Sequence, residues 1–360
     1  MSKNIIESRL KNLRGRMKKS GFDAVLVTKK ENYTYFSGFT GTSAYLVITE
    51  NDAVLVTDFR YTLQAEKQAP AYEISTYRGS IIKGLNDVFE NRKIEILGFE
   101  DTNLTVDKYT EYREKLNIKE MKALGAILDE LREIKDNEEL KLIKKAVKIA
   151  DDTFSYILKV IKPGIAEVEL AAEMEYHMRK LGAEGASFET IVASGIRSSM
   201  PHGVASEKKL QLGDAITLDF GALYSGYCSD MTRTVFLGKP DEKLERIYKI
   251  VLHAQLTASA GVKKGLSGKD IDMIARDMIS KEGYGENFGH GLGHGVGLEI
   301  HEEPRLSMTG WKIMKNGMVV TVEPGIYIDG LGGVRIEDMV VVKDNDPVIL
   351  TSSTKELIVV

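Results

Sequence analysis

The stretch Ala215–Phe236, AITLDFGALYSGYCSDMTRTVF, decides the fold because it places two acidic residues on apolar segments. Its two apolar runs are joined by a connection rich in Gly, Ser and Tyr, which predicts two neighbouring strands. Asp219 ends the first run and Asp230 stands near the start of the second. In an antiparallel pair the two carboxylates therefore lie close together. Such carboxylates repel each other and are costly to desolvate unless a cation or a proton lies between them.

Two more acids occur in the same kind of setting. The segment Met318–Tyr327 is an apolar strand ending in Glu323-Pro-Gly, and Gly333–Val342 carries Arg335 and Glu337 on one face of a predicted strand. A salt bridge or a turn-capping role would explain any one of these acids alone. Four acids on apolar strands, with histidines nearby, favour a site for divalent ions such as Mn²⁺, Co²⁺ or Zn²⁺.

The histidines concentrate in one glycine-rich segment, Phe288–Glu302, FGHGLGHGVGLEIHE. It holds three of the six histidines of the chain, namely His290, His294 and His301. Glycines allow the backbone to pass close to a site. The other three are His202, in the sequence MPHG, and His177 and His253, which fall in predicted helices and are expected to take no part in chemistry.

Composition limits the class of protein. The 360 residues exceed the usual size of one core, which predicts two domains. A net charge of -4 without a basic block gives no support for a nucleic-acid partner. The sequence shows no apolar run of about 18 residues and no apolar amino-terminal core, so no membrane span and no secretory signal are expected. The lone Cys228 cannot form an internal disulfide and is expected to be an inert core thiol, and a cytoplasmic location is expected.

The order of predicted elements indicates an α/β (α+β) protein. Residues 1–127 alternate between helices and short strands and form a small amino-terminal α/β domain. Residues 128–360 form the second domain. It includes a long amphipathic helix that starts at Asp136 or Asn137 and runs to Pro163-Gly164.

A weak repeat divides the second domain into two halves. Ile161–Ile165 (IKPGI) and Val262–Leu266 (VKKGL) share a pattern at an offset of 101 residues, and Lys180-Leu-Gly182 and Lys281-Glu-Gly283 repeat at the same offset. Two similar halves facing each other would place a site on the axis between them. Chance similarity between two helix–loop–helix segments is the alternative.

Together the motifs LDFG…SDMTRT, GHGVGLEIHE, TVEPGIY and VRIED resemble those of the pita-bread metallopeptidases, the family of methionine aminopeptidase, aminopeptidase P and prolidase. The resemblance covers essentially the whole chain. It implies a pita-bread catalytic domain with pseudo-two-fold symmetry at residues 128–360. It also implies a creatinase/prolidase-type domain at residues 1–127.

Carried over residue by residue, the resemblance implies a role for each site residue. Two divalent ions, Mn²⁺ before Co²⁺ or Zn²⁺, would be held by five ligands, namely Asp219, Asp230, His294, Glu323 and Glu337. Asp219 would chelate one ion, Asp230 and Glu337 would bridge both, and Glu323 would also act as general base toward a bridging hydroxide nucleophile. The residues implied on the substrate side are His202 and His301, which would bind the scissile carbonyl, and His290, Tyr327 and Arg335, which would support the site or contact substrate.

The amino-terminal domain resembles that of the proline-directed members, so the expected substrates are short peptides with proline second. The segments Phe36–Gly41 and Thr57–Gln64 favour an Xaa-Pro aminopeptidase, and an Xaa-Pro dipeptidase is the alternative. The resemblance also implies a homodimer. A creatinase-like amidinohydrolase or a non-catalytic binding module would share the scaffold, but the full set of ligand positions argues against both.

Overall fold

A computed structural model describes residues 3–360, and contacts divide the chain into two units between Arg132 and Glu133. The helices of the first unit are α1 (Lys3–Ser20), α2 (Lys30–Ser37), α3 (Thr62–Gln68), α4 (Ile81–Arg92), α5 (Val106–Lys115) and α6 (Ile127–Arg132). Its strands are β1 (Ala24–Val27), β2 (Tyr45–Thr49), β3 (Ala53–Asp58), β4 (Glu73–Tyr77), β5 (Ile96–Phe99) and β6 (Glu120–Ala123). They form one mixed sheet in the order β4-β3-β2-β1-β5-β6.

The first unit is the small α/β domain that the sequence predicts. β1 is apolar throughout and buried along its whole length, as expected of a central strand flanked by β2 and β5. The predicted hairpin is the antiparallel pair β2–β3. The predicted domain boundary, after residue 127, falls just before α6. Because α6 packs against α1 and α2, contacts place it with the first unit.

The second unit contains four helices and thirteen strands in several small sheets. The helices are α7 (Asn137–Ile157), α8 (Glu167–Lys180), α9 (Glu242–Gly261) and α10 (Gly268–Lys281). The strands are β7 (Gly185–Ala186), β8 (Ile191–Ser194), β9 (Ala215–Phe220), β10 (Ala222–Tyr224), β11 (Tyr227–Cys228), β12 (Met231–Phe236), β13 (Gly293–Gly295), β14 (Glu302–Leu306), β15 (Val319–Val322), β16 (Gly325–Ile328), β17 (Gly332–Arg335), β18 (Asp338–Val341) and β19 (Val348–Ile349). The sheets that matter for the site are β12-β9-β8, β14-β13-β15-β18-β19 and β16-β17. Within residues 3–360 no helix has the length and apolar character needed to cross a membrane.

The repeat seen in the sequence corresponds to a repeat of structure. α8 and α10 are both 14 residues long, and they start and end at an offset of 101 residues. The glycines that precede them, Gly164 and Gly265, have φ angles of 90° and 91°, a left-handed conformation that favours glycine. The preceding helices α7 and α9 also match, since each begins after an aspartate N-cap. The matching helices and glycines support a repeat of structure over chance similarity.

The long helix α7 is shorter than predicted. Asp136 caps it as expected, but it ends at Ile157 and not at Pro163. After Ile157 the hydrogen bonds tighten, because the amide of Val160 donates to the carbonyl of Ile157 only three residues back. Ile161 is nevertheless buried, so the apolar periodicity continues past the end of the helix.

The opening stretch forms the antiparallel pair β9–β12, with the short strands β10 and β11 in the connection. Ser225 and Gly226 have φ angles of 48° and 79°, which allows the tight turn between β10 and β11. The register pairs Asp219 with Thr232, while Asp230 lies one residue before β12. The two aspartates are thus neighbours near the end of the ladder rather than directly paired.

The other two acid-bearing segments each form two strands: the first strand ends before Glu323-Pro324 as predicted, whereas the second was predicted to be continuous and is broken. Glu323-Pro324 separates β15 from β16, and Ile336-Glu337 separates β17 from β18. Proline cannot donate to a ladder, which interrupts the first strand. At the second break the amide of Glu337 donates to the carbonyl of Thr232, 3.1 Å away, instead of joining a ladder with β16. Both breaks therefore place a glutamate at the end of a paired segment.

Candidate metal centre

The second unit contains a cavity of about 470 Å³ into which the predicted site residues converge. Its lining includes every predicted ligand and all of the predicted substrate-side residues except Tyr327, namely Asp219, Asp230, His294, Glu323, Glu337, His202, His290, His301 and Arg335. These residues come from positions up to 135 apart in the chain and from both halves of the unit. The structure therefore brings the predicted ligands and all but one of the predicted substrate-side residues together in one cavity.

The most compact part of this group is Asp230, His294 and Glu337, whose potential ligand atoms all lie within 4.8 Å of one another. All three are buried. The Nε2 atom of His294 also lies 3.3 Å from Oε1 of Glu323 and 3.6 Å from Oδ2 of Asp230. Imidazole and carboxylate groups at these separations match the donor set that divalent transition metals prefer.

His294 is oriented by its own backbone. Its Nδ1 lies 3.0 Å from the carbonyl oxygen of Gly295, and a carbonyl can only accept, so Nδ1 carries the proton. This leaves Nε2 as the nitrogen that faces the carboxylates. A backbone carbonyl that fixes the tautomer in this way is typical of histidines that bind metals.

Two buried oxygens of the group have no hydrogen-bond partner among residues 3–360. Whether a cation would pair them shows whether these residues fit a metal centre. They are Oδ1 of Asp219 and Oε1 of Glu337. The other oxygen of each carboxylate is bonded, Oδ2 of Asp219 to Nη2 of Arg335 at 2.5 Å and Oε2 of Glu337 to Oγ1 of Thr232 at 2.7 Å. Buried polar atoms are rarely left unpaired. A cation beside these two oxygens would pair both, so the residues fit a metal centre.

The pKa values of the carboxylates reflect how close these buried groups lie to one another. Burial and the repulsion of neighbouring carboxylates raise the pKa of Asp230 and of Glu337 well above their ordinary values. Burial also raises the pKa of Asp219, although the charge of Arg335 opposes it. Burial opposes ionisation of Glu323 as well, but the metal-free site offsets it: a His294 ring protonated on both nitrogens, together with the charge of Arg335, lowers the pKa of Glu323 to about 2. Without a cation, the pocket disfavours full ionisation of the other three.

A chain of hydrogen bonds connects the acids to His290. Nη1 of Arg335 donates to the Tyr327 hydroxyl at 2.8 Å, and that hydroxyl lies 2.9 Å from Nε2 of His290. Nδ1 of His290 donates to the carbonyl of Gly291 at 2.7 Å, so Nε2 must accept from Tyr327. Burial lowers the pKa of His290, consistent with a neutral ring in this chain. Tyr327 thus lies behind the cavity wall, where it buttresses Arg335.

His301 and His202 are placed differently from His290. The ring of His301 meets that of His294 edge to face, with centroids 4.4 Å apart, and burial lowers its pKa. His202 is exposed in the loop that follows β8. Its ring forms no hydrogen bond within the described part of the chain, and it lines the cavity. Both rings are available to a bound ligand.

One cavity residue that the sequence analysis missed is Arg305. It is exposed, and in the β13–β14 ladder it pairs directly with His294. Directly paired residues project from the same face of a sheet, so the guanidinium lies beside the predicted metal ligand. No pattern in the sequence marks it, because its place depends on the pairing of β13 with β14. The remaining residues set aside lie outside the lining, with Cys228 buried, His253 exposed on α9 and His177 stacked on Tyr156.

Comparison with known proteins agrees with this geometry. Residues 141–344 match the model of Metallopeptidase family M24, and residues 9–134 match the Creatinase/Prolidase N-terminal domain. The chain belongs to metallopeptidase family M24. Members of this family use a dinuclear divalent metal site, and the buried group of Asp230, His294 and Glu337 is compatible with one.

Relatives with named activities cover the whole length of the M24 chain. It is 46% identical to a solved Xaa-Pro dipeptidase from Bacillus anthracis, with a TM-score of 0.97 over 99% of this chain and 100% of the other. It is 42% identical to an Xaa-Pro dipeptidase from Pyrococcus furiosus over 98% of this chain and 100% of that one. It is also similar to a solved X-Pro aminopeptidase from Thermotoga maritima, with 39% identity and a TM-score of 0.91 over 96% and 100% of the two chains. The relatives thus favour the dipeptidase alternative over the aminopeptidase that the sequence analysis preferred.

Proposed function

We propose that this M24 metallopeptidase is an Xaa-Pro dipeptidase that uses two divalent ions. The names of similar proteins support this choice, and Arg305 is the structural observation that carries it. In a dipeptide only the proline separates the scissile bond from the terminal carboxylate, and consecutive Cα atoms are about 3.8 Å apart. A cation that binds this carboxylate must therefore lie very close to the metal ligands.

Arg305 meets that requirement. It faces His294 across the β13–β14 ladder and lines the cavity, and its guanidinium has no ion pair within residues 3–360. Arginine recognises carboxylates through two parallel hydrogen bonds. In a longer Xaa-Pro peptide a neutral amide would stand where the dipeptide carries its carboxylate. Arg305 would thus select dipeptides by charge.

The ligands that would hold the ions are Asp219, Asp230, His294, Glu323 and Glu337. When bound, two divalent ions would polarise the scissile carbonyl and lower the pKa of the attacking water. Glu323, ionised at neutral pH because its pKa is low, is a ready ligand and would carry a proton from that water to the leaving nitrogen. His202 and His301 would donate hydrogen bonds to the carbonyl oxygen as negative charge develops on it.

We also propose a bound ion, an oligomeric state and a location for the protein. A ligand set with four carboxylates and one imidazole favours Mn²⁺, with Co²⁺ or Zn²⁺ as alternatives. Metal analysis of protein purified without chelators would identify the bound ion. The homodimer and the cytoplasmic location rest on the resemblance to the proline-directed members of the family.

The decisive experiment compares three substrates with the same first two residues: an Xaa-Pro dipeptide, its carboxyl-terminal amide and an Xaa-Pro-Xaa tripeptide. We expect the dipeptide to have the highest kcat/KM. Arg305→Met is expected to lower kcat/KM for the dipeptide by about 10- to 100-fold, because a charge-assisted hydrogen bond contributes about 1.5–3 kcal/mol. The same substitution is expected to change hydrolysis of the amide and the tripeptide only slightly.

Arg246→Met is the matched control, because Arg246 is an exposed arginine on α9 that does not line the cavity. Metal content must be the same in all three proteins. The second candidate is an Xaa-Pro aminopeptidase, supported by the similarity to the Thermotoga maritima enzyme. Faster hydrolysis of the tripeptide than of the dipeptide, unaffected by Arg305→Met, would establish that activity instead.

A further inference from the structure

A second carboxylate system is centred on Glu167, in the first turn of α8. Glu167 is fully buried, and its carboxylate accepts five hydrogen bonds. Oε1 accepts from the amide and hydroxyl of Ser194, at 2.8 and 2.7 Å. Oε2 accepts from Nε of Arg197 at 3.0 Å and from the amide and hydroxyl of Ser206, at 3.0 and 2.6 Å. A buried charge is tolerated only when paired as completely as this.

Glu167 is not needed to cap its own helix. The capping role at the start of α8 belongs to Glu169, whose Oε2 accepts from the amide of Ala166 at 2.7 Å. All five bonds to Glu167 instead come from a different segment, residues 194–206. The carboxylate therefore serves that segment rather than the helix that carries it.

The segment held by Glu167 is the loop that carries His202. Ser194 and Ser206 stand at its two ends, and Arg197 also donates to the carbonyl of Val204 at 2.6 Å. The ring of His202 forms no hydrogen bond of its own within residues 3–360, so its position depends on how the loop backbone is held. Glu167 thus closes the loop at its two ends, while Nη1 of Arg335 donates to the carbonyl of Pro201 at 3.2 Å beside the histidine.

The second half of the unit contains a similar arrangement on α10. Asp272 is fully buried, pairs with Arg276 at 2.7 and 2.9 Å, and accepts from the amide of Leu292 at 3.0 Å. Arg276 donates in turn to the carbonyls of Phe288 and His290, at 3.0 and 2.8 Å. At the 101-residue offset Asp272 corresponds to Ala171, one helical turn beyond Glu167 on the same face. Each half therefore uses a buried carboxylate and an arginine to hold a histidine-bearing loop.

We propose that Glu167 is a positioning residue that holds the loop 194–206 so that His202 meets the scissile carbonyl. Its importance for turnover rests on the proposed function, but its effect on the loop does not. Glu167→Gln keeps the shape of the side chain and places an amide N–H₂ where donors converge. The loop should then move, and a misplacement of about 1 Å can cost about 100-fold in rate.

The kinetic test is a double-mutant cycle with His202→Gln, using the metal-loaded protein and an Xaa-Pro dipeptide. Glu167→Gln is expected to lower kcat by about 10- to 100-fold with little change in KM and in bound metal. In the His202→Gln background the same substitution should have almost no further effect, because the histidine it positions is gone. If the two effects multiply instead, Glu167 does not act through His202.

The NMR resonances of the histidine rings test this proposal independently of the proposed function. The chain has six histidines, so the ring resonances of zinc-loaded, histidine-labelled protein can be assigned with single variants. We expect Glu167→Gln to shift or broaden the His202 resonance while those of His177 and His253 stay unchanged. Glu169→Gln, in the same helical turn, should leave His202 unchanged. If dipeptides prove not to be substrates, this measurement still decides the role of Glu167.

Ser206→Ala removes one of the five bonds and provides a milder test if Glu167→Gln does not fold. It should perturb the His202 resonance in the same direction and lower kcat by a smaller factor. A His202 resonance that is unchanged in every folded variant would overturn the proposal.

Discussion

Two sets of buried carboxylates in the M24 unit differ in how their oxygens are paired. The framework carboxylates, Asp151, Glu167 and Asp338, are saturated by protein donors; Asp151, for example, accepts from the backbone and hydroxyl groups of both Ser352 and Ser353. The centre carboxylates, Asp219, Asp230, Glu323 and Glu337, are crowded together, and two of their oxygens have no partner within residues 3–360. Three of the four centre acids are buried like the framework acids, and Glu323 is partly exposed, so similar burial accompanies a different pairing. The difference indicates that the framework acids stabilise the fold, whereas the centre acids are arranged for a cation.

The largest expected effect on turnover comes from substituting a proposed ligand of the metal centre. His294→Ala removes the only imidazole of the proposed ligand set and is expected to lower turnover by at least about 1000-fold, because several kcal/mol of metal-dependent stabilisation is lost. His301→Ala should retain both ions and lower turnover less, by about 10- to 100-fold. Metal content and steady-state kinetics measure both effects. Loss of metal in His301→Ala would show that the two histidines have been assigned the wrong roles.

Substitution of a framework carboxylate should lower the free energy of unfolding. Asp338 is fully buried and pairs with Arg233 at 2.8 Å, with Gln255 at 2.9 Å and with Lys355. Asp338→Asn leaves the buried Arg233 and the partly buried Lys355 without their counter-charge, which costs about 3–5 kcal/mol of unfolding free energy. Denaturant unfolding of the metal-free protein measures this cost.

The control for Asp338 is Asp152→Asn, which removes a surface pair with Lys148 in which the two side chains are 43% and 64% exposed. Exposed pairs on a helix contribute about 0.3–0.5 kcal/mol. Equal destabilisation by the two substitutions would remove the distinction between framework and surface charges.

The smallest expected effect concerns pH. Burial lowers the pKa of His290, so the folded protein resists protonation that the unfolded chain accepts at its ordinary pKa of about 6.5. The histidine therefore contributes stability above that pH, and the contribution is lost as the pH falls through the lower folded pKa. Metal-free wild type should lose more stability than His290→Gln on going from pH 7 to pH 5. Substitution of the exposed His253 by Gln should leave the pH dependence of wild type unchanged.

The sequence predicted the site better than it predicted the strands. Asp219, Asp230, Glu323 and Glu337 were found because acids on apolar strands contradict the usual placement of charge. The end of a strand at Glu323-Pro324 was predicted, but the break at Ile336-Glu337 was missed because hydrophobic alternation continues across it although hydrogen bonding changes partner. Arg305 and Glu167 were missed for another reason. An arginine or a glutamate gives no pattern of its own, and only pairing across β13–β14 or burial under a distant loop reveals its place.

The central claim is that the centre carboxylates are arranged for a cation at the expense of the metal-free fold, and Glu337→Gln tests it most directly. Because the pKa of Glu337 is raised, its contribution to stability is present below its unfolded pKa and is lost as the pH rises through the folded pKa. At pH 7 the metal-free Glu337→Gln protein should therefore be more stable than metal-free wild type, by about 1–3 kcal/mol, while binding metal much more weakly. Glu167→Gln should be less stable than wild type under the same conditions. If metal-free Glu337→Gln unfolds more readily than wild type, the centre carboxylates stabilise the fold like the framework ones, and the claim is wrong.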